Sequence, residues 1–333
     1  MNPWNKSCSY KNMMKTEVQS KATFLRKIEF VILNIVLLTL VSITPSIAGL
    51  QGSFLYTLSD FTGTIPYSQT TVSVDRERNE VYVLFQNNIR VFNDAGMEIY
   101  RFGEDLDLGH ILDVAVEKGG DILLLSYRDS KPSITRCNYR GEPSSLIEPK
   151  NLPARFSDFS ANRMVYRDGV LYFASMLGMT IVTTDIDGSF RNGYDVLSLL
   201  GLDEKERGNV EIGGFSVDQA GNMLFTVPVM FKACILSPSG DLAWFGRPGG
   251  APGRFNVVSG IVQDSKGNYL IVDKLKSVIM AFDTKYSFIT QFGYRGSKKG
   301  GLISPDAIAI DGRDRIYVTQ TVKKGVSVFG IVH

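Results

Sequence analysis

The sequence predicts an all-β chain folded as a six-bladed β-propeller, with four antiparallel strands in each blade. Three observations predict it. One pattern recurs six times at a period of 42 to 51 residues, each copy has room for four short strands, and a spare strand precedes the first copy while the last copy ends one strand short.

Before the first copy lies a leader. Residues Met1 to Glu29 are polar and basic, Phe30 to Ile43 form an almost unbroken apolar run, and Pro45-Ser46-Ile47-Ala48 places small residues where a leader peptidase cleaves. This pattern predicts a signal peptide over 1–48, cleavage near Ala48, and a secreted or periplasmic product, with Met13 or Met14 as alternative starts. An uncleaved N-terminal membrane anchor carrying an exported domain is the alternative, although the run is shorter than the roughly 20 residues of a spanning helix. No further membrane span is expected after residue 48.

The leader also biases the charge. The whole chain has 36 Lys+Arg against 34 Asp+Glu, but six of those cations and only two of the acids lie in the leader, which leaves residues 49–333 at a net −2. That near-neutrality gives no warrant for nucleic-acid binding. With 3 Cys in 333 residues the chain is no disulfide scaffold either.

The six copies are anchored on an apolar-small-apolar-acidic stretch followed by a tight turn and a second strand. They read Val72-Ser73-Val74-Asp75, Val114-Ala115-Val116-Glu117, Met164-Val165-Tyr166-Arg167, Phe215-Ser216-Val217-Asp218, Ile261-Val262-Gln263-Asp264 and Ile308-Ala309-Ile310-Asp311. Turn residues such as Gly119-Gly120-Asp121, Ala220-Gly221-Asn222 and Lys266-Gly267-Asn268 tolerate positive φ and predict a hairpin in each unit. A third apolar strand and a fourth ending in Phe102-Gly103, Phe245-Gly246 or Phe292-Gly293 complete the blade. The last unit runs out at its third strand, Val326 to Ile331, so the spare strand Ser53 to Leu58 is expected to supply its fourth and close the ring.

With the units in place, the sequence resembles the NHL-repeat family. The fifth unit carries the resemblance best, from Gly246-Arg247-Pro248-Gly249 through Ser259-Gly260-Ile261, Gly267-Asn268-Tyr269-Leu270-Ile271-Val272-Asp273 and Ile279-Met280-Ala281-Phe282-Asp283 to Gln291-Phe292-Gly293. The sixth is nearly as good, and the second and third are degenerate. The resemblance implies the six-bladed fold over 49–333, whereas the family's functions range from scaffolds to ligand binders and a few enzymes.

Enzymes on propellers of this kind hold metal at the mouth of the central channel, with several His or with an acidic and amide set. After residue 48 the chain has only His110 and His333, so a three-His zinc site cannot be built. A calcium-type oxygen site remains as the alternative, with Asp113, Glu211 and Asp306 as candidates because each sits just before an innermost strand and could point into the channel. That alternative would make the chain a lactonase-like hydrolase or lyase. Cys137 and Cys234 fall on third strands two blades apart and read as small buried hydrophobes. No haem attachment motif or phosphate loop is present, and no catalytic residue or cofactor is assigned.

The loops joining second to third strands should gather on one face around the channel. They carry Arg128, Lys131, Lys232, Lys274, Lys276, Lys323 and Lys324 against Asp129 and Asp273, together with Phe85 and Phe231. The expected function is therefore a non-catalytic binding or scaffold module. Its basic face would engage an acidic protein surface or an anionic glycan, within an exported multiprotein assembly.

Overall fold

The computed structural model describes residues 49–60, 63–64, 70–104, 107–128, 131–322 and 325–333. The leader proposed over 1–48 lies outside them. Six four-stranded antiparallel sheets form the ring, each running from an innermost strand outward. The innermost strands are Thr71–Asp75, His110–Val116, Arg163–Arg167, Gly214–Val217, Val258–Gln263 and Pro305–Ile310. Among the described residues no helix is long and apolar enough to cross a membrane.

The second strands are buried on both faces, which is why they read as apolar runs rather than as alternating patterns. Their alternate side chains enter opposite neighbours. Val81 and Val83 pack with Tyr317, Val326 and Val328 of blade 6, whereas Tyr82 and Leu84 pack with Val114, Ile122 and Leu124 of blade 2. The same division holds around the ring, so that one apolar cluster fills each junction between adjacent blades.

The recurring acid is a turn-former. Asp218 Oδ1 accepts the backbone N–H groups of Ala220 and Asn222, and its Oδ2 accepts Asn222 Nδ2. Asp264 does the same with Lys266 and Asn268, and Asp311 accepts the N–H groups of Arg313 and Arg315. A short carboxylate one turn from those amides satisfies donors the hairpin leaves free. Glu117 is one methylene too long and instead pairs with Arg136 Nε at 2.7 Å. In blade 3 the turn has two residues, Asp168 (φ 48°) and Gly169 (φ 83°), and no cap is required. Position 167 is thereby free to hold Arg.

The spare strand closes the ring as expected. Gln51–Thr57 runs antiparallel to Ser327–Val332, from Gln51 opposite Val332 to Thr57 opposite Ser327, with an irregularity between Phe54 and Tyr56. It thus becomes the outermost strand of blade 6. Phe54 meets Phe329 edge-on at 5.7 Å, Phe292 of blade 5 lies 5.8 Å from Phe329, and Leu58 donates its N–H to Val326 O at 3.0 Å. An Arg313–Asp94 ion pair at 2.6 Å joins blade 6 to blade 1 at the junction on its other side.

Phe329 is 2% exposed and Leu55, on the opposite side of the closing strand, is 45% exposed. Phe329→Ala is expected to cost about 3–5 kcal/mol by emptying the seam, whereas Leu55→Ala should change stability by no more than about 0.5 kcal/mol. Denaturant midpoints of the two variants check this, and equal losses would refute the role given to the seam.

Candidate functional site

The six innermost strands enclose a central cavity of about 250 Å³ lined by residues from every blade. One mouth is surrounded by the loops between second and third strands, the other by the turns that follow the innermost strands. Three innermost strands, those of blades 2, 5 and 6, break register where they approach the first mouth, between Ile111 and Asp113, Val258 and Ile261, and Pro305 and Ile308.

Those bulges place two of the three candidate metal ligands. Asp113 and Asp306 lie within the strands rather than before them, and both line the cavity. Asp113 is buried, its Oδ1 accepting the N–H of Val114 at 3.0 Å and its Oδ2 that of Met164 at 2.9 Å. Burial pushes its carboxyl up, opposed by the charge of Arg163 and by these two hydrogen bonds. Asp306 pairs with Lys274 Nζ at 2.7 Å. Glu211 is exposed and does not line the cavity. Among the described residues no three His, Cys, Asp or Glu side chains come together in a way that could hold a metal.

The basic loop residues do reach one face, and several are occupied there. Arg128 pairs with Asp107 at 3.0 Å, Lys232 lies 3.9 Å above the Trp244 ring, and Lys274 is held by Asp306. Lys276 Nζ donates to the carbonyls of Ala251 and Arg254 at 2.7 and 2.6 Å, and burial lowers its pKa. Asp273 is a structural acid, fully buried and accepting the N–H groups of Asn256, Leu275 and Lys276. Phe85 and Phe231 are half-buried against the blade junctions. Lys131 is exposed, has no ion pair among the described residues, and joins Leu125, Ile134, Phe159 and Phe173 around a second cavity of about 370 Å³ between blades 2 and 3. Asp129, Lys323 and Lys324 lie outside the described residues.

A feature that inspection of charge alone misses is apolar. Leu177, Val229, Leu275 and Val322 occupy the same loop position, two residues after Ser175, Val227, Asp273 and Gln320, in four consecutive blades. They are 69%, 56%, 54% and 51% exposed. Aligning the loops on the ends of the second strands reveals them.

The reactive side chains are far apart. His110 is exposed at the start of an innermost strand, on the loop face. His333 lies on the opposite, turn face, its Nε2 3.2 Å from Asp314. Cys137 and Cys234 are buried and unpaired, as expected, and burial pushes their thiols up to about 11 and about 12.

No family model and no curated protein matches the sequence. Solved structures do match the fold. Virginiamycin B lyase from Staphylococcus aureus is similar at a TM-score of 0.51 and 15% identity, over 85% of this chain and 99% of the lyase. A protein of unknown function from Bacteroides thetaiotaomicron reaches a TM-score of 0.62 at 12% identity, over 85% of this chain and 76% of its own. An auxiliary nutrient binding protein from Bacteroides ovatus reaches 0.56 at 12% identity, over 86% and 77%. What they share with this chain is the propeller. At such identities the likeness extends to architecture and not to activity.

Asp113 supplies a test of the cavity's electrostatics. Its folded-state pKa lies above the unfolded value, so the folded chain takes up this proton first and gains stability as pH falls towards the carboxylate range. The stability of the wild type relative to Asp113→Asn should therefore increase between about pH 7 and about pH 4.5. Thermal melts of both proteins check this, and a difference that shrinks on acidification would show the carboxylate to be stabilised instead.

Proposed function

We propose that the chain is an exported, non-catalytic binding propeller of NHL type that engages a partner protein through the face built by its second-to-third-strand loops. The observation that carries this reading is the arc of Leu177, Val229, Leu275 and Val322, solvent-facing in four successive blades. Surface residues of this kind scattered singly are ordinary, but the same position repeated around one mouth is a surface suited to partial desolvation by a partner. Lys131 flanks the arc, and Lys323 and Lys324 follow Val322 directly in sequence, so an acidic protein surface fits better than an anionic glycan, which would have no use for the aliphatic groups.

Two neighbours support a binding role over a catalytic one. The Bacteroides ovatus protein of the same fold is a nutrient binding protein. A histidine-to-alanine variant of the Staphylococcus aureus lyase is catalytically inactive, whereas here the only histidines after residue 48, His110 and His333, stand on opposite faces and neither lines the cavity. The competing reading, a calcium-dependent lactonase-like hydrolase or lyase, draws on Asp113 and Asp306 in the cavity, but Asp113 spends both oxygens on backbone N–H groups and Asp306 is paired with Lys274.

Leu177→Asp combined with Leu275→Asp should weaken partner capture after mild crosslinking at least tenfold, without lowering Tm, because both side chains are exposed. Equal recovery of the same partners by wild type and variant would overturn the assignment of this face. Stoichiometric calcium in the purified protein together with turnover of a lactone or ester would favour the enzyme.

A further inference from the structure

The mouth opposite the partner face holds two arginines that the fold does not neutralise. Arg76 follows the turn acid of blade 1, and Arg167 stands where four of the other five blades place Asp and the fifth Glu. Both line the central cavity. Arg167 Nη2 donates to Val217 O of blade 4 at 3.0 Å, and its Nε is buried without a partner. Arg76 makes no side-chain hydrogen bond or ion pair among the described residues. Burial, reinforced by the positive charge of Arg167, pulls Arg76 down to about 10, and burial lowers Arg167 as well. Arg76 also feels the acidic charges of Asp311 and Asp314 of blade 6 and of Asp218 of blade 4.

Three of the acids in reach, Asp218, Asp311 and Asp314, are already committed, and Asp168 acts on Arg167 only as a nearby charge. Asp218 caps its own turn through both oxygens. Asp311 accepts Arg315 Nε and the Tyr317 hydroxyl beyond its turn amides, and Asp314 accepts from Ser265 N–H and lies beside His333. Glu77, Lys118 and Asp168, which also line the mouth, are exposed to solvent. Two like charges partly withdrawn from water without an ion-paired acid are unfavourable for folding, and a planar guanidinium with unused N–H groups is the side chain best shaped to receive an oxyanion.

We propose that Arg76 and Arg167 form a binding site for a small tetrahedral oxyanion of the phosphate or sulfate class at the turn-side mouth of the channel. The anion would accept the free N–H groups of Arg76 and the orphaned Nε of Arg167, and it would bridge blades 1 and 3 across the axis. The site does not depend on the reading of the loop face, since it lies at the other end of the channel and uses none of the same residues.

Calorimetric titration and thermal melts of the full chain with inorganic phosphate and with sulfate, against chloride at equal ionic strength, test this. Saturable binding and a saturable rise in Tm with phosphate or sulfate but not chloride are expected. Arg76→Gln should weaken that binding at least tenfold. In oxyanion-free buffer it should melt at or above the wild-type temperature, because it removes an unpaired charge and no hydrogen bond. Arg167→Lys, which keeps the charge but loses the Nε donor, should also weaken binding. No saturable response in the wild type would overturn the proposal, and so would unaltered binding in the folded Arg76→Gln protein. An Arg76→Gln variant markedly less stable than wild type in oxyanion-free buffer would overturn it too, by showing that Arg76 serves the fold.

Discussion

Closure of the ring by Gln51–Thr57 is the constraint on which the other features depend. A blade buries both faces of its second strand only if it has a neighbour on each side, and in an open array the terminal blades would expose one apolar face apiece. Pairing the first described strand with the last converts the array into a circle. It also explains why Val81 and Val83 of the first blade can be as fully buried as Val262 and Leu270 of the fifth. The contact is long in sequence but local in space, so its formation should come late, after the blades have something to close upon.

Around that circle the turn chemistry repeats while the side chains at the mouths vary. Asp218, Asp264 and Asp311 are used in the same way and are consequently unavailable for ligands. The exceptions are therefore informative. Glu117 swings to Arg136, and Arg167 replaces the acid where a two-residue turn dispenses with the cap. A position released from a structural duty is where a fold can accept a residue with a different one.

Much of the architecture was legible because it is written in local rules. The turn acids, the positive-φ glycines and the apolar second strands each act within about ten residues, and even closure followed from counting strands. Gly246 shows how local the rules are: at φ 129° a Cβ there would come within 2.2 Å of Phe231 O, so only glycine closes the strand beneath that loop. The candidate face was legible as a location but not as an electrostatic surface. Lys274 finds Asp306 32 positions away, Arg128 finds Asp107 21 away, and Lys276 turns inward to two carbonyls, so the formal charge of the loops overstates what a partner would meet. Pairings between blades depend on ring geometry, which no window of sequence contains. The bulges that carry Asp113 and Asp306 into the strands were illegible for the same reason.

The two mouths consequently differ in kind. Among the described residues of the loop face most charges are satisfied and aliphatic groups are left outside, so what that face offers is apolar area flanked by cations. At the turn-side mouth what remains unsatisfied is cationic N–H, suited to a small anion and too recessed for a large surface. The same channel joins them, so an ion held between blades 1 and 3 would stiffen the ring on which the opposite loops are mounted. Any coupling between the two mouths would have to run through the packing of blade on blade, because the six sheets share no hydrogen-bonded ladder.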